Sequence, residues 1–316
     1  PPLDVDDNDI PEQKKHYKLP TRFGAIPVDE APMGWEVETQ PRRTRVTKFQ
    51  HAYPRITLPF QEVQRFEFGH DAQFKSENES DRKLRELFPT GANRLFFGDN
   101  LHVMRQLPSE SIDLIYIDPP FFSGRNYNII FGDKNEMRSF SDIWEDGMPG
   151  YLVWLNARLW EMKRLLKPTG SIYVHLDWHA SHYVKVEMDK IFGVDNFVRE
   201  VIWKLGWVSG FKSRAKNWIR NHETLLFYSK KSKFKFNKIY VPHDKGYSRR
   251  GGGENPLGVA ADDVWTDIYS IQHLSFSKEK IGYPTQKSEA LVERVIEASS
   301  DEGDVVADFY CGGGTT

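Results

Sequence analysis

The chain has 316 residues, of which 39% are hydrophobic and 14% aromatic, and its 43 Lys and Arg nearly balance 45 Asp and Glu. This length suggests two domains, or one domain with a large insertion, and the apolar content excludes disorder over most of the chain. A single cysteine excludes a disulfide framework, and without a signal-peptide pattern or an apolar run of roughly 18 residues we expect a cytoplasmic protein with no membrane span.

Residues 1–90 show no helical or strand periodicity. The acidic, proline-containing stretch 1–30 predicts an extended arm. Residues 31–90 scatter apolar side chains among charged ones, and we expect them to wrap the main domain. The first residue is Pro1 and not Met, so we expect that the sequence begins inside a longer gene product or after processing.

An alternation of strands and helices begins at residue 94. The patterns predict a short buried strand at 94–99, a helical turn at 100–107, a strand at 112–117, a helix at 151–166, a strand at 171–176 and a helix at 181–192. This order predicts an α/β fold in which helices cover both faces of a parallel sheet.

A strongly basic segment follows at 199–250, with predicted strands at 198–204 and 224–229. It holds fourteen Lys and Arg and three acidic residues, a net charge of +11, so the rest of the chain carries −13. Aromatic residues are interleaved with these cations, at 203, 207, 211, 218, 227, 228, 234, 236 and 240. Cations release the counterions of a polyphosphate and rings stack on bases, which predicts contact with nucleic acid. A solvated, lysine-rich strand-and-loop region is the alternative.

The last part of the chain contains a glycine-rich turn. After a predicted loop at 246–258 and a helix at 288–298, a strand at 304–310 runs into Cys311-Gly312-Gly313-Gly314-Thr315-Thr316. Glycines at this place let a ligand approach the backbone closely. No lysine follows them, which excludes a phosphate loop of the Gly-Lys-Ser/Thr kind. A plain tight turn is the alternative.

The motif Asp118-Pro119-Pro120-Phe121 ends the predicted strand at 112–117. Ligands of open α/β sheets bind at the carboxyl ends of the strands. The prolines fix the turn and remove backbone donors, so the Asp118 carboxylate and the Pro119 carbonyl can accept both hydrogens of an amino group. Phe121 can stack on the planar molecule that carries it. An ordinary strand-ending turn is the alternative.

Several ordered stretches carry a family resemblance. They are GDNL at 98–101, DLIYIDPPF at 113–121, LKPTGSIYVH at 166–175, NHETLL at 221–226, GYPTQK at 282–287 and DFYCGGGTT at 308–316. Together they resemble the β-class DNA amino-methyltransferases, both orphan enzymes and the modification subunits of type III restriction systems. The resemblance implies a Rossmann-like sheet that binds S-adenosylmethionine and an enzyme that methylates N6 of a flipped-out adenine in double-stranded DNA. Cytosine N4, RNA as substrate, and a non-catalytic DNA-specificity module with the same fold stay open.

The resemblance also implies which residues form the site. The catalytic residues are Asp118, Pro119, Pro120 and Phe121. The expected cofactor-binding residues are Asp99, Thr285, Gln286, Lys287, Asp308, Tyr310, Cys311, Gly312, Gly314 and Thr315, although Asp99 equally fits a turn-forming role. From the loop 123–128 and the basic segment, the expected DNA contacts are Arg125, Tyr127, Lys212, Arg214, Lys216, Arg220, Arg249 and Arg250.

Two departures and the end of the sequence qualify this resemblance. Proline usually follows Lys287 and Asp308 in the family, where this chain has Ser288 and Phe309, so we expect some loss of cofactor affinity without loss of the site. Family members continue beyond the glycine turn with a helix and a strand whose acidic residue holds the ribose. We therefore expect an incomplete cofactor half.

The expected divisions are a wrapping arm at 1–90, a catalytic half at 91–204, an inserted target-recognition region at 205–280 and the start of the cofactor half at 281–316. Expected partners are double-stranded DNA, a second copy in a homodimer and, in a restriction system, a restriction subunit. His175, Asp177 and His179 lack the spacing of a common zinc site, and the implied chemistry needs no metal, so we expect none.

Overall fold

The computed structural model describes residues 18–21, 24–27, 60, 93–124, 126–130, 137–142, 144, 147–208, 214, 216–242, 256–274 and 277–316. Four of the predicted DNA contacts lie outside these residues, namely Arg125, Lys212, Arg249 and Arg250. Among the described residues, no helix combines the length and the apolar character that a membrane span requires.

The described part contains four α-helices and twelve strands. The helices are α1 (Asn100–Met104), α2 (Gly147–Leu165), α3 (Ser181–Phe192) and α4 (Glu289–Ser299), with a 3-10 helix at Val194–Asn196. The strands are β1 (Lys18–Thr21), β2 (Gly24–Pro27), β3 (Ile112–Ile117), β4 (Asn126–Ile130), β5 (Met137–Ser141), β6 (Leu166–Leu176), β7 (Phe197–Lys204), β8 (His222–Ser229), β9 (Tyr240–Val241), β10 (Val259–Ala260), β11 (Val264–Trp265) and β12 (Val306–Ala307).

Six strands form the central sheet in the order β11-β7-β8-β6-β3-β12. The pairs β12–β3, β3–β6 and β11–β7 are parallel, whereas β8 runs antiparallel to both β6 and β7. The other described pairs, β1–β2, β4–β5 and β9–β10, are antiparallel two-stranded ribbons. The motif Asp118-Pro119-Pro120-Phe121 therefore follows β3, which lies between two parallel neighbours.

Two hydrophobic cores cover the two faces of this sheet. On one face, Ile115 and Ile117 pack with helices α2 and α3. On the other, Leu114 and Tyr116 pack with α4 and with the inner residues of β7 and β8. Adjacent strand residues point to opposite faces, and β3 is apolar on both because both are covered. The predicted Rossmann-like α/β sheet with helices on both faces is confirmed.

Most predicted elements are present, and several differ in their bounds or their pairing. The helix at 181–192 and the strand at 112–117 have the predicted bounds. The strand expected at 94–99 is wrong, because residues 93–97 pair with no described strand and Leu95 and Phe97 are exposed. The strand expected at 304–310 is limited to β12, and the sheet is mixed because of β8.

The basic segment contributes to the sheet as well as to the surface. Strands β8 and β11 lie inside the range 205–280 and belong to the central sheet, so only some of the described residues of this range lie outside that sheet. The pairing of β7 with β8 buries three of the interleaved rings, Trp203, Phe227 and Tyr228. Trp207, Trp218 and Phe236 are exposed. The rings that remain for a nucleic acid are thus fewer than the sequence suggested.

Candidate functional site

Asp118 lies directly after the carboxyl end of β3, in a partly buried position with 16% of its side chain exposed. One carboxylate oxygen, Oδ2, accepts a hydrogen bond from the Lys287 ammonium at 2.6 Å. The other oxygen, Oδ1, is buried and has no hydrogen-bond partner. A buried acceptor without a partner is costly, which marks Oδ1 as the atom prepared for a donor from a ligand.

Lys287 connects the turn after β3 with the loop before α4. Its side chain is 11% exposed, and its ammonium contacts Asp118 and lies 5.1 Å from the centroid of the Phe121 ring. The same ammonium donates to the Thr285 carbonyl at 3.4 Å, and the Lys287 carbonyl accepts from Thr315 at 3.3 Å. The residue expected at the cofactor is therefore placed between the Asp118 carboxylate and the glycine turn.

A hydrogen-bonded trio lies behind Asp118. The His175 ring is fully buried near the end of β6, with Nδ1 2.9 Å from the Tyr116 hydroxyl and Nε2 2.9 Å from a Glu223 oxygen. Burial alone would raise the pKa of Glu223, but its hydrogen bond to His175 and the positive charges of Lys287 and Arg220 lower the pKa to about 2. Burial, reinforced by the Asp118 charge, raises the pKa of Tyr116 well above its usual value.

The glycine-rich turn follows β12 and is held by its own hydrogen bonds. Asp308 accepts from the backbone nitrogen of Tyr310 at 2.8 Å and from the Thr316 hydroxyl at 2.6 Å, and the nitrogen of Gly314 donates to the Cys311 carbonyl at 2.7 Å. Gly312 and Gly314 have φ angles of 53° and 76°, in the left-handed region that disfavours side chains. The turn therefore requires its glycines.

The loop 279–286 packs against this turn. The Gln286 amide donates to the Glu279 carbonyl at 2.6 Å and accepts from the Ile281 nitrogen at 3.1 Å. A Cβ atom at Gly312 would lie 3.3 Å from the Tyr283 ring, and one at Gly313 would lie 3.2 Å from Ile281. Gln286 thus stabilises the loop that packs against the glycines, since its amide nitrogen and its amide oxygen both hydrogen-bond to the backbone of this loop.

Asp308 is a partly buried carboxyl group whose protonation depends on folding. Burial is the main cause that raises its pKa from 3.8 to about 6, and the Asp118 charge adds to it, against the hydrogen bonds from Thr316 and Tyr310. Burial also raises the pKa of the Cys311 thiol, with the Asp308 charge as a further cause. The thiol is therefore a packing group of the turn and not an activated nucleophile.

Replacing Asp308 by asparagine should change how stability depends on pH. A raised folded-state pKa means that the group favours folding most below about pH 4, and that this contribution is lost as the pH rises to about 6. As the pH rises from about 4 to above about 6, the free energy of unfolding of the variant should therefore increase by about 3 kcal/mol relative to that of the wild type. Urea unfolding at pH 4 and pH 7 measures it, with exposed Asp195→Asn as the matched control. If the free energies of unfolding of the wild type and Asp308→Asn changed equally with pH, folding would not raise the pKa of Asp308.

Asp99 caps α1 and pairs with a buried arginine. Its carboxylate accepts from the backbone nitrogen of Leu101 at 2.8 Å and from Arg158 at 2.8 and 3.0 Å. Arg158 also donates to the Asn100 side chain at 2.7 Å, and Asn100 donates to the Phe309 carbonyl at 2.8 Å. The turn-forming role is thus the one observed for Asp99, and Arg158 ties α1 to the glycine turn.

Replacing Arg158 by methionine should destabilise the protein by about 2 kcal/mol, because it removes charge-assisted hydrogen bonds from a side chain with 3% exposure. Asp99 is half exposed and can be rehydrated, which limits the loss. Arg158→Lys should lose an intermediate amount, since lysine keeps the charge without the planar fork. Urea denaturation gives these free energies. A methionine variant as stable as the wild type would exclude the anchoring role.

Asp142 shapes the turn after Phe121. Its buried carboxylate accepts from the backbone nitrogens of Phe122 at 3.0 Å and Ser123 at 2.5 Å, and from the Trp144 indole at 3.1 Å. Phe122 has a φ angle of 62°, which is strained for a phenylalanine. Its ring packs against Tyr151 at 5.9 Å. Hydrogen bonds to Asp142 therefore hold the backbone at Phe122 and Ser123 despite the strain.

The described DNA-contact predictions differ in their surroundings. Arg214 and Lys216 are exposed, and Tyr127 lies on β4. Arg220 donates to the buried Asp177 carboxylate at 3.0 Å, where His179 also binds. Other cations of the basic segment pair with acids of the body, as Lys230 does with Glu110 and Lys235 with Asp301. Part of the positive charge is thus neutralised within the fold.

Some site residues have no recognisable sequence pattern. Asp142, Arg158 and Glu223 act through contacts with residues that are distant in the chain, and only Glu223 stands in a motif that the sequence singles out. Tyr116 reads as a core residue of a buried strand. Among the described residues, no group of three or more His, Cys, Asp or Glu side chains is arranged to hold a metal ion. The pair Asp177–His179 instead braces the turn before α3.

The chain is similar to several known methyltransferases. The type II methyltransferase M.BamHI of Bacillus amyloliquefaciens is 32% identical over 251 residues, which cover 76% of this chain and 55% of that protein. The DNA adenine methyltransferase YhdJ of Escherichia coli K12 is 28% identical over 239 residues, 72% of this chain and 74% of that protein. The solved PvuII DNA methyltransferase, which is cytosine-N4-specific, is 17% identical with a TM-score of 0.47, covering 67% of this chain and 72% of that one.

The chain spans 55%, 64% and 61% of three of the curated relatives that it matches. A family model described as DNA methylase matches residues 112–316, well over half of the chain. This range includes Asp118 with its unpartnered oxygen, Lys287 and the glycine turn. The chain therefore belongs to the DNA methylase family.

Proposed function

We propose that this chain carries the catalytic part of an enzyme that transfers a methyl group from S-adenosylmethionine to an exocyclic amino group in double-stranded DNA, namely N6 of adenine. The observation that carries the proposal is the buried Asp118 Oδ1, which lacks a hydrogen-bond partner at the carboxyl end of β3. An exocyclic amino group has two N–H donors, one for this oxygen and one for the neighbouring Pro119 carbonyl.

The chain's own residues would prepare the amine for attack. Two accepted hydrogen bonds draw the nitrogen out of conjugation with the ring and make its lone pair more available. Lys287 holds the other oxygen of Asp118 at 2.6 Å, which fixes the direction of Oδ1. Phe121, which neighbours both Lys287 and His175, offers a ring face for the base. Alignment of the amine with its methyl donor is the main contribution of such a site.

The glycine turn fits a cofactor of this kind. Nothing lies within 4 Å of a Cβ built at Gly314, whose φ angle of 76° keeps the backbone free of side chains, so a ligand can approach the turn there. Asp308, Gly312, Gly314 and Thr315 would hold the cofactor, with the Asp308 carboxyl group favourable to a positive charge. S-adenosylmethionine, when bound, supplies an electrophilic methyl group on a positively charged sulfur.

Duplex DNA would have to present its base outside the helix. A stacked base cannot reach Asp118 in the turn after β3, and extruding it costs a few kcal/mol of unstacking. The exposed rings and cations of the segment 205–280, among them Trp207, Trp218, Arg214 and Lys216, would contact the DNA and repay part of that cost. We propose this segment, apart from β8 and β11, as the target-recognition region.

Sequencing that detects methylated bases, applied to DNA from cells that express the complete gene product, tests the proposal. The expected result is N6-methyladenine in one short sequence context, absent from cells without the gene. N4-methylcytosine instead would correct the base while keeping the reaction, and DNA without either modification would contradict the function. The homodimer and the restriction subunit that the resemblance implies stay predictions, which the molar mass of the purified protein and co-purification address.

A further inference from the structure

A buried histidine lies behind the catalytic carboxylate and has no part in binding the amine. The His175 ring is fully buried, with the Trp203 ring 5.4 Å and the Phe121 ring 5.9 Å away between centroids. Burying an imidazole among aromatic rings is costly unless its nitrogens are hydrogen-bonded. Both nitrogens of His175 have partners, so the ring is held at a defined distance from Asp118.

The partners of His175 determine which nitrogen carries the proton. Glu223, whose pKa is about 2, is a carboxylate and can only accept, so Nε2 must donate to it across 2.9 Å. Tyr116 keeps its hydroxyl proton because burial raises its pKa, and it can donate to Nδ1 across 2.9 Å. The tautomer that satisfies both partners has its lone pair on Nδ1.

Nδ1, which accepts from Tyr116 in this state, is also the His175 atom near the free oxygen of Asp118. It lies 4.0 Å from Asp118 Oδ1, too far for a hydrogen bond, so a direct proton transfer requires a side-chain movement that brings the two atoms together. Asp118 Oδ2 is occupied by Lys287 at 2.6 Å, so a proton taken from the amine would sit on Oδ1. The His175 imidazole is a base 4.0 Å from this oxygen.

On the basis of the proposed function, we propose that His175 accepts, through Asp118, the proton that the amine loses on methylation. The new N–C bond forms from the nitrogen lone pair as the C–S bond of the sulfonium donor breaks with its electron pair on sulfur. The N–H bond then breaks, its electron pair returns to nitrogen and the proton goes to Asp118 Oδ1. Transfer from Oδ1 to His175 Nδ1 restores the carboxylate and leaves an imidazolium.

The charges around His175 suit this role. Glu223 from β8 and Asp118 from the turn after β3 stabilise an imidazolium, whereas Lys287 on Asp118 and Arg220 near Glu223 oppose it. The Tyr116 hydroxyl can reverse from donor to acceptor by rotating about its C–O bond. A neutral resting ring and a charged ring after transfer are thus both compatible with the same surroundings.

Replacing His175 by glutamine separates proton uptake from positioning. Glutamine keeps a donor for Glu223 and an acceptor for Tyr116, but it cannot take up a proton. Single-turnover methyl transfer by the complete protein should slow by about 10²-fold, with unchanged affinity for DNA and cofactor. The rate of the variant should also depend less on pH than the rate of the wild type. Exposed His182→Gln is the matched control. A glutamine variant with the wild-type rate and pH profile would overturn the proposal.

A spectroscopic measurement on the wild type does not depend on whether the variant folds. In protein labelled with ¹⁵N-histidine, His175 should show a protonated Nε2 and an unprotonated Nδ1 before DNA is added. A proton on Nδ1 in that state would overturn the proposal, because Nδ1 would then have no lone pair to take up the proton from Asp118. A wild type that transfers no methyl group would contradict both the proposed function and the role of His175. An active wild type together with an unaffected His175→Gln variant would contradict only the role of His175 as proton acceptor.

Discussion

Replacing Asp118 by asparagine should lower the rate constant of methyl transfer by about 10³-fold, the loss typical of removing one preorganised polar group from a reaction centre. Asparagine has nearly the same shape, so the turn after β3 should persist. Its amide carries no charge to draw on the amine hydrogens, and its NH₂ group faces either Lys287 or the amine, both of which are donors. Single-turnover transfer of a labelled methyl group to duplex DNA measures the rate.

The controls for Asp118→Asn exclude trivial causes. Exposed Asp195→Asn makes the same chemical change on the 3-10 helix and should keep the wild-type rate. Binding of labelled cofactor and of DNA should persist in Asp118→Asn, because the loss is expected in the chemical step. Unimpaired transfer by this variant would contradict the role of Asp118. Loss of cofactor binding would show that the residue supports the cofactor and not the amine.

Replacing Lys287 by methionine should destabilise the protein by about 3 kcal/mol and slow methyl transfer. The ion pair with Asp118 is largely buried, with 11% and 16% of the two side chains exposed, so the carboxylate would keep its burial without its partner. The freed carboxylate would also lose its fixed direction towards the amine. Urea unfolding and single-turnover transfer measure the two effects. Lys280→Met, at an exposed lysine of the same loop, should change neither.

A double-mutant cycle shows whether the two effects of Lys287→Met come from Asp118. In the Asp118→Asn background, Lys287→Met leaves no uncompensated carboxylate and should cost at least 1 kcal/mol less than it does in the wild type. Equal costs in both backgrounds would mean that Lys287 stabilises the fold through other contacts, such as the Phe121 ring and the Thr285 carbonyl.

Much of the fold could be predicted because its strongest signals are local. The strand β3 is apolar at nearly every position since both of its faces are covered, and α3 shows helical spacing that ends at Gly193. The direction of β8 could not be predicted, because an apolar run has the same composition in a parallel and an antiparallel pair. The strand expected at 94–99 is wrong for a different reason. An apolar run is typical of a buried strand, but Leu95 and Phe97 are exposed here.

The candidate site was predictable where its residues are adjacent in the chain, and less so where they meet only after folding. Asp118 and Phe121 belong to one short motif. Lys287 contacts Asp118 across 169 positions, and the resemblance alone placed it with the cofactor. His175 bonds to Tyr116 and Glu223, which come from two other strands of the sheet. Pairing of strands determines such contacts, and no periodicity within one segment encodes them.

In the proposed reaction, Asp118 directs methylation of an exocyclic amine in DNA. A direct test incubates the complete protein with duplex DNA and S-adenosylmethionine carrying a labelled methyl group, and then identifies the labelled nucleoside by chromatography and mass spectrometry. We expect label in N6-methyl-2′-deoxyadenosine from the wild type and almost none from Asp118→Asn. Label on a ring carbon such as C5 of cytosine, or equal labelling by both proteins, would contradict it.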